Sequence, residues 1–275
     1  VLDVKRADFS GIRFGGRWEQ VPAGPFAGRL VGNGSGFDGV AELSAQGRYQ
    51  RAIVKATAMN AALQGQKTLR IGRGIINADI VLLEQPQIKA DVQLGDTTVD
   101  ELFIAAARGK IDYRNGQGNA QFLVEGRSSF PFRIAANSQL APNLWTVAVR
   151  GRANGIPFTS AKPLRIVPEK RGYALLPSAV KVGNGTIRLE GRYADGLQIR
   201  SNIDNVNLAV LNPTLPGFEM GGRASGVVDW NQSSLDAVPQ AQVQLEIKRF
   251  RRNSVGVPSQ PVNVSLKGNL DVNGG

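Results

Sequence analysis

The sequence contains no cysteine and no histidine among its 275 residues. Without cysteine there is no disulfide, no thiolate nucleophile and no zinc–thiolate site, and without histidine the commonest general base and metal ligand is missing. No apolar run approaches the roughly 18–20 residues that a membrane-spanning helix needs. These absences remove common catalytic and metal-binding groups, and we predict a protein that is not an enzyme, with no catalytic residue, no metal site and no cofactor.

Acidic residues are outnumbered: 33 lysines and arginines face 22 aspartates and glutamates, which gives a net charge of +11. This excess predicts an anionic partner, such as nucleic acid, anionic lipid headgroups or an acidic protein surface. The densest basic segment, Lys248–Arg252, contains Phe250, a residue able to stack on a nucleic-acid base. A solvated strand end is the plainer interpretation, because no nucleic-acid-binding motif accompanies the segment. We therefore predict no nucleic-acid partner.

What the sequence does contain is many short segments in which apolar and polar residues alternate, separated by some of its 33 glycines. A strand over Leu144–Val149, for example, presents Trp145, Val147 and Val149 on one face. Asn115–Gly116 between two such segments is the strongest hairpin signal. The pattern predicts an all-β meandering sheet with one apolar and one polar face, extended along an axis.

Three segments leave room for helix. Leu208–Pro213 has the apolar spacing and the following prolines of one or two helical turns. Thr98–Glu101 matches a capping box, so residues 102–108 fit a short helix, but their alternation fits a strand equally well. Ile53–Leu63 fits either a strand or an alanine-rich helix. No linker interrupts residues 1–275, so we predict a single elongated section, and Val1 in place of Met suggests a piece of a longer protein.

Several of these segments carry a family resemblance that is clearest from about Asp96 to Trp230. The segments are Ser129–Ala136, Leu144–Trp145, Gly151–Ala153, Leu164–Ile166, Leu175–Pro177, Gly191–Arg192, Leu208–Gly217 and Gly221–Gly226. Together they resemble the TamB family (translocation and assembly module subunits), which is part of the AsmA-like group of bridge-like lipid-transfer proteins. The motifs are glycines, prolines and apolar residues and include no catalytic signature.

The resemblance implies a curved, mostly antiparallel sheet folded lengthwise into an open β-taco with an apolar groove, carrying one or two short helices. It also implies a periplasmic section of a protein that bridges the inner and outer membranes of a Gram-negative cell, anchored in the inner membrane through a segment outside this sequence. The expected partners are phospholipid acyl chains, a TamA-type barrel-insertase protein of the outer membrane and nascent outer-membrane proteins.

The candidate groove lining consists of apolar residues that alternate along the central strands. These residues are Phe122, Val124, Phe132, Ile134, Trp145, Val147, Val149, Ile166, Ile187, Leu189, Leu197 and Ile199. From alternation alone, the closed core of a β-sandwich or jelly-roll that binds carbohydrate or protein is the commoner arrangement. The resemblance favours the open groove.

A third hypothesis is an enzyme acting on polysaccharide. Asp96, Asp100 and Glu101 lie close together in sequence, and paired carboxylates can hydrolyse glycosides or bind a hard cation. Acidic residues at a turn or at a helix N-terminus are the simpler interpretation.

Overall fold

The computed structural model describes all residues except 1, 10, 23, 64–68, 215–218, 235–236, 255–256 and 271–275. The chain divides into two compact units, Val1–Arg127 (unit 1) and Ser128–Gly275 (unit 2). Nearly every described residue outside the turns belongs to a β-strand, and every strand pair whose register is defined is antiparallel. The prediction of an all-β, antiparallel fold is therefore confirmed.

Unit 1 is a simple meander. Each strand between its first and its last pairs with the strand that precedes it and the strand that follows it in sequence. Its strands are β1 (Leu2–Phe9), β2 (Ile12–Gln20), β3 (Phe26–Gly34), β4 (Phe37–Gln46), β5 (Tyr49–Leu63), β6 (Leu69–Val81), β7 (Gln87–Val99), β8 (Leu102–Arg114) and β9 (Gln117–Arg127).

Turn chemistry explains the clearest hairpin of unit 1. Asn115 and Gly116 join β8 to β9 with φ of 52° and 77°, as the first and second residues of a turn whose twist matches that of the flanking strands. Asparagine and glycine tolerate this left-handed backbone better than other residues. The hairpin prediction is confirmed at this position.

The alternative of a helix over residues 102–108 is wrong, since these residues belong to β8, and Ile53–Leu63 is likewise a strand, within β5. Asp100, with φ of 51°, and Glu101 form the turn between β7 and β8. Pairing with β7 and β9 supplies backbone hydrogen bonds on both sides of β8, which overrides the local capping-box signal.

Unit 2 is also a meander, with one strand position shared by β12 and β13 and another, beside β18, shared by β19 and β20. Its elements are β10 (Pro131–Ala141), β11 (Leu144–Ala153), β12 (Ile156–Ser160), β13 (Leu164–Glu169), β14 (Gly172–Val182), β15 (Gly185–Tyr193), β16 (Leu197–Asn207), the 3-10 turn η1 (Leu208–Leu211), β17 (Glu219–Gln232), β18 (Gln240–Ser254), β19 (Val257–Pro258) and β20 (Val262–Leu270). The helix predicted at Leu208–Pro213 is reduced to this single turn, which is far too short to cross a membrane.

The sheet of unit 2 curves around η1. The Asn154 side chain, just after β11, donates a hydrogen bond from Nδ2 to the Ala209 carbonyl in η1 over 3.0 Å. Four strand spacings separate β11 from β16, which leads into η1, so in a flat sheet the two strands would lie about 19 Å apart. Ser128 Oγ also donates to the Pro213 carbonyl, 2.5 Å away. These bonds require the sheet to bend until both flanks meet η1.

Buried apolar side chains are scarce in the described part of both units. Eleven apolar residues are buried there, six of them alanines, and no large side chain is completely buried. In unit 2 the buried positions concentrate at the strand ends around η1: Ala153, Val182, Val206, Leu208 and Ala224. The strands are therefore stabilised mainly by their ladders and by half-buried side chains.

Candidate functional site

Cross-strand register divides the sheet of unit 2 into two chemically different faces, because residues directly opposite each other in an antiparallel pair project to the same side. Trp145 lies opposite Leu140 of β10 and Ile166 of β13, and Ile199 lies opposite Gly191 and Trp230. Followed from strand to strand, this register defines one side that is almost wholly apolar. We call it the apolar face and its reverse the polar face.

All ten candidate groove residues in unit 2 share the apolar face. They are Phe132, Ile134, Trp145, Val147, Val149, Ile166, Ile187, Leu189, Leu197 and Ile199. The remaining two, Phe122 and Val124, lie in unit 1 opposite Gly109 and Ala107, on the face that also carries Ile111 and Val92. The sequence pattern thus assigned every candidate residue to the apolar face of its own unit.

None of the twelve candidates is buried. The ten in unit 2 and Val124 are half-buried, and Phe122 is 50% exposed. On the same face of unit 2, Tyr173 and Leu266 are 40% and 45% exposed. The ring of Tyr173 lies 4.9 Å from that of Trp145, so aromatic side chains form part of this surface. Residues of a closed sandwich core would be far less accessible.

Sequence reasoning missed several members of the apolar face. Leu175, Val180, Val228, Trp230 and Leu245 are all in register with it. The signal was available in β18, whose alternation of valine, leucine and isoleucine with polar residues is regular. Trp230 has a further property: its indole Nε1 is buried and has no hydrogen-bond partner among the described residues.

The polar face of unit 2 is rich in arginine. Arg152, Arg165, Arg188 and Arg200 are each registered opposite a residue of that face, and each is exposed. Two adjoining cavities, of about 800 and 590 Å³, meet there at Pro177, Glu190 and Arg200 and are lined mainly by polar-face residues. The polar face therefore has depressions bordered by charged groups.

Unit 1 carries a bidentate ion pair on the side of the sheet opposite Phe122 and Val124. Arg51 Nε and Nη2 donate to Asp79 Oδ1 and Oδ2 over 2.9 and 2.7 Å. The hydrogen bond from Arg51 lowers the pKa of Asp79 below its usual value, and the partial burial of the carboxylate opposes that effect. The pair is partly open to water, so its contribution to stability is small.

The acidic candidates do not form a cluster with a metal-binding arrangement. Asp96, in β7, forms an ion pair with Arg73 at 3.2 Å, while Asp100 and Glu101 occupy the β7–β8 turn. Within the residues that the structure describes, no group of three or more acidic side chains has the geometry to hold a metal ion.

The basic segment Lys248–Arg252 lies in β18 near its pairing with β20. Its lysine and arginines are exposed, whereas Phe250 is half-buried and registered opposite Val262. The backbone N–H of Arg249 donates to Asn263 Oδ1 at 3.0 Å. Phe250 thus belongs with the apolar residues of β20, while the charges around it project to solvent.

Comparison with known proteins does not assign the chain to a family. A scan against protein-family models, a search of curated proteins and a search of solved structures each found no match.

Proposed function

We propose that the apolar face of unit 2 binds the hydrocarbon chains of phospholipids, and that the protein is a TamB-like section of an envelope protein that bridges the inner and outer membranes and carries phospholipid between them. The observation that supports this best is the coincidence of register and exposure. Ten apolar side chains from five strands share one face, and none of them is buried.

Binding of hydrocarbon to the apolar face is favourable because it removes exposed apolar area from water. Each square ångström left in water costs about 25 cal/mol, and each acyl CH₂ removed from water contributes about 0.8 kcal/mol. Such contacts need no directed polar group, so a chain can slide from one strand to the next without breaking hydrogen bonds. A surface of this kind suits movement of lipid along the sheet.

The opposite face fits an aqueous compartment. Its arginines and amide side chains keep one side of the sheet wetted while the other is covered by hydrocarbon. The proposed compartment is the periplasm, where a TamA-type barrel-insertase protein of the outer membrane is the expected partner. Support for assembly of nascent outer-membrane proteins is a further part of this proposal, since their unpaired apolar strands present chemistry similar to that of acyl chains.

The test measures the phospholipid that co-purifies with the chain and asks whether one charged substitution on the apolar face reduces it. The chain is expressed in a Gram-negative host, purified without detergent, extracted with organic solvent and analysed by mass spectrometry. Phospholipid is expected at a fixed ratio to protein. Val147→Asp, on the apolar face, is expected to lower that ratio several-fold, because the acyl chain would have to contact a carboxylate.

The matched control is Val227→Asp. Val227 is registered opposite Asn202 and Gln244 on the polar face and is 37% exposed, so the same substitution there adds the same charge. It is expected to leave lipid recovery unchanged. A lipid-free wild-type protein, or equal loss of lipid in both variants, would contradict the proposal.

A further inference from the structure

Two neighbouring strand positions of unit 2, the one shared by β12 and β13 and the one occupied by β14, are irregular at the same level of the sheet. Thr159 pairs with Arg150 of β11, and Leu164 pairs with Val147. Leu164 is five residues beyond Thr159, whereas Arg150 and Val147 are three residues apart, so two extra residues are inserted between β12 and β13. In β14 the register shifts between Leu175 and Ser178. Ser178 Oγ closes this second bulge with a hydrogen bond of 2.7 Å to the Leu176 carbonyl. Aligned bulges of this kind redirect side chains out of the regular lattice.

The bulges border the cavity of about 590 Å³ on the polar face. Small and apolar residues, Ala161, Pro163, Pro177 and Ala179, form part of its lining. Ala179 lies directly opposite Arg188, so a short side chain stands next to a long one and leaves a depression beside the guanidinium. The cavity thus combines an apolar floor with a charged border.

Four cations line this cavity: Arg200, which pairs with Asp229, and the three residues Lys162, Arg165 and Arg188. Within the described part of the chain, none of the three makes an ion pair or a side-chain hydrogen bond, although all are exposed. The adjoining cavity of about 800 Å³ differs in this respect. Its arginines are neutralised, Arg192 by Glu169 at 2.6 Å and Arg200 by Asp229 at 3.1 Å.

One carboxylate, Glu190, also lines the smaller cavity. Three unneutralised cations against one carboxylate leave an excess positive charge in a concave site, where an anion is concentrated and partly shielded from water. Two guanidinium groups offer forked N–H donors suited to a tetrahedral oxyanion, and the ammonium of Lys162 adds a third cationic donor group.

We propose that Lys162, Arg165 and Arg188 bind a phosphate-type oxyanion carried on an apolar group. The oxyanion contacts the three cations, and the attached apolar group lies against Pro163, Pro177 and Ala179. The site is on the face opposite the proposed acyl-chain surface and does not depend on that function. A phosphomonoester lipid headgroup and a soluble phosphate monoester share this chemistry, and the experiment distinguishes them.

The test is calorimetric titration of the full chain with hexyl phosphate, inorganic phosphate and hexanol at low ionic strength. Hexyl phosphate is expected to bind more tightly than inorganic phosphate, and hexanol is expected not to bind. Arg165→Gln and Arg188→Gln are each expected to weaken hexyl phosphate binding about tenfold, the effect of losing one charge-assisted contact. Glu190→Gln is expected to strengthen binding, because it removes the one carboxylate of the site.

The matched control is Arg152→Gln, which removes the same charge from the polar face but from outside the cavity. If Arg152→Gln weakens binding as much as Arg188→Gln, net charge alone accounts for the affinity and the site is refuted. Absence of hexyl phosphate binding, or equal affinity for inorganic phosphate, refutes the site or its apolar part respectively. Titration with dihexanoyl phosphatidic acid below its micellar concentration identifies the source: tighter binding than hexyl phosphate indicates a lipid headgroup, and weaker binding a soluble monoester.

Discussion

Charged substitutions at two valines of the apolar face, Val182 and Val147, test whether that face is an open surface or a closed core. Val182, the last residue of β14, is 3% exposed, whereas Val147 is half-buried. Val147→Asp forfeits about half of a valine's burial energy and some strand propensity, together about 1–2 kcal/mol, because the carboxylate can still reach water. Val182→Asp forfeits all of that burial and encloses a charge, at a cost of at least about 4 kcal/mol.

The measurement is urea unfolding followed by tryptophan fluorescence. Carrying both substitutions in a Trp18→Phe background restricts the signal to Trp145 and Trp230, the tryptophans of unit 2. We expect the free energies of unfolding of the two variants to differ by at least about 2 kcal/mol. The alanine variants at the same two positions control for lost packing without a charge.

The pH dependence of stability of Val147→Asp and Val182→Asp provides a second comparison. Enclosure raises the pKa of a new carboxyl at position 182, so the stability of Val182→Asp recovers as pH falls and the group protonates. The stability of Val147→Asp is expected to change little over the same range. An equal loss for both variants at neutral pH would mean that Val147 sits in a closed core, as in a β-sandwich binding module, and would refute the open face.

Three further predictions follow from individual contacts. The pKa of Asp79 is lowered in the folded protein, so its ion pair with Arg51 stabilises the fold at pH above the unfolded pKa, and this stabilisation is lost as pH falls through the folded pKa. Asp79→Asn is expected to remove this acid-sensitive contribution, at most about 1 kcal/mol, from the free energy of unfolding measured by urea melts at several pH values. Trp230→Phe removes a buried indole N–H that has no partner among the described residues. It is expected to change the free energy of unfolding by less than about 1 kcal/mol, because the loss of buried apolar area is offset by removal of the desolvation cost of the unpaired N–H. Asn212→Ala is expected to cost about 2–4 kcal/mol in thermal and urea unfolding, because the buried amide accepts from the Met220 N–H at 3.1 Å and donates to its carbonyl at 3.3 Å; an unchanged midpoint would contradict this role.

Much of the sheet was predictable because its determinants are local. The alternation of Trp145, Val147 and Val149 defined the apolar face correctly, since side chains in a strand change sides at every residue. Asn115–Gly116 predicted its hairpin for an equally local reason, the tolerance of both residues for positive φ. The capping-box signal before Leu102 misled because two neighbouring strands, not the local sequence, decide the conformation there.

The features that give the surface its shape were not predictable. Curvature in unit 2 depends on contacts such as that between Asn154 and Ala209, which are 55 residues apart in sequence. The cationic cavity likewise joins Lys162, Arg165 and Arg188, which come from a bulge and two different strands. The spacing of these residues in the sequence does not predict their proximity, because that proximity depends on how many residues each bulge adds.

The meander of unit 1 has a consequence for how a surface of this type can change in length. Over the described residues, each inner strand pairs with its two sequence neighbours, so the free energy of the ladder is close to a sum of nearest-neighbour terms, as in a repeat protein. Inserting or deleting one hairpin would lengthen or shorten the surface by two strand spacings, about 10 Å, and leave the remaining registers intact. Duplication of single hairpins is therefore a sufficient genetic event to fit such a sheet to a different span.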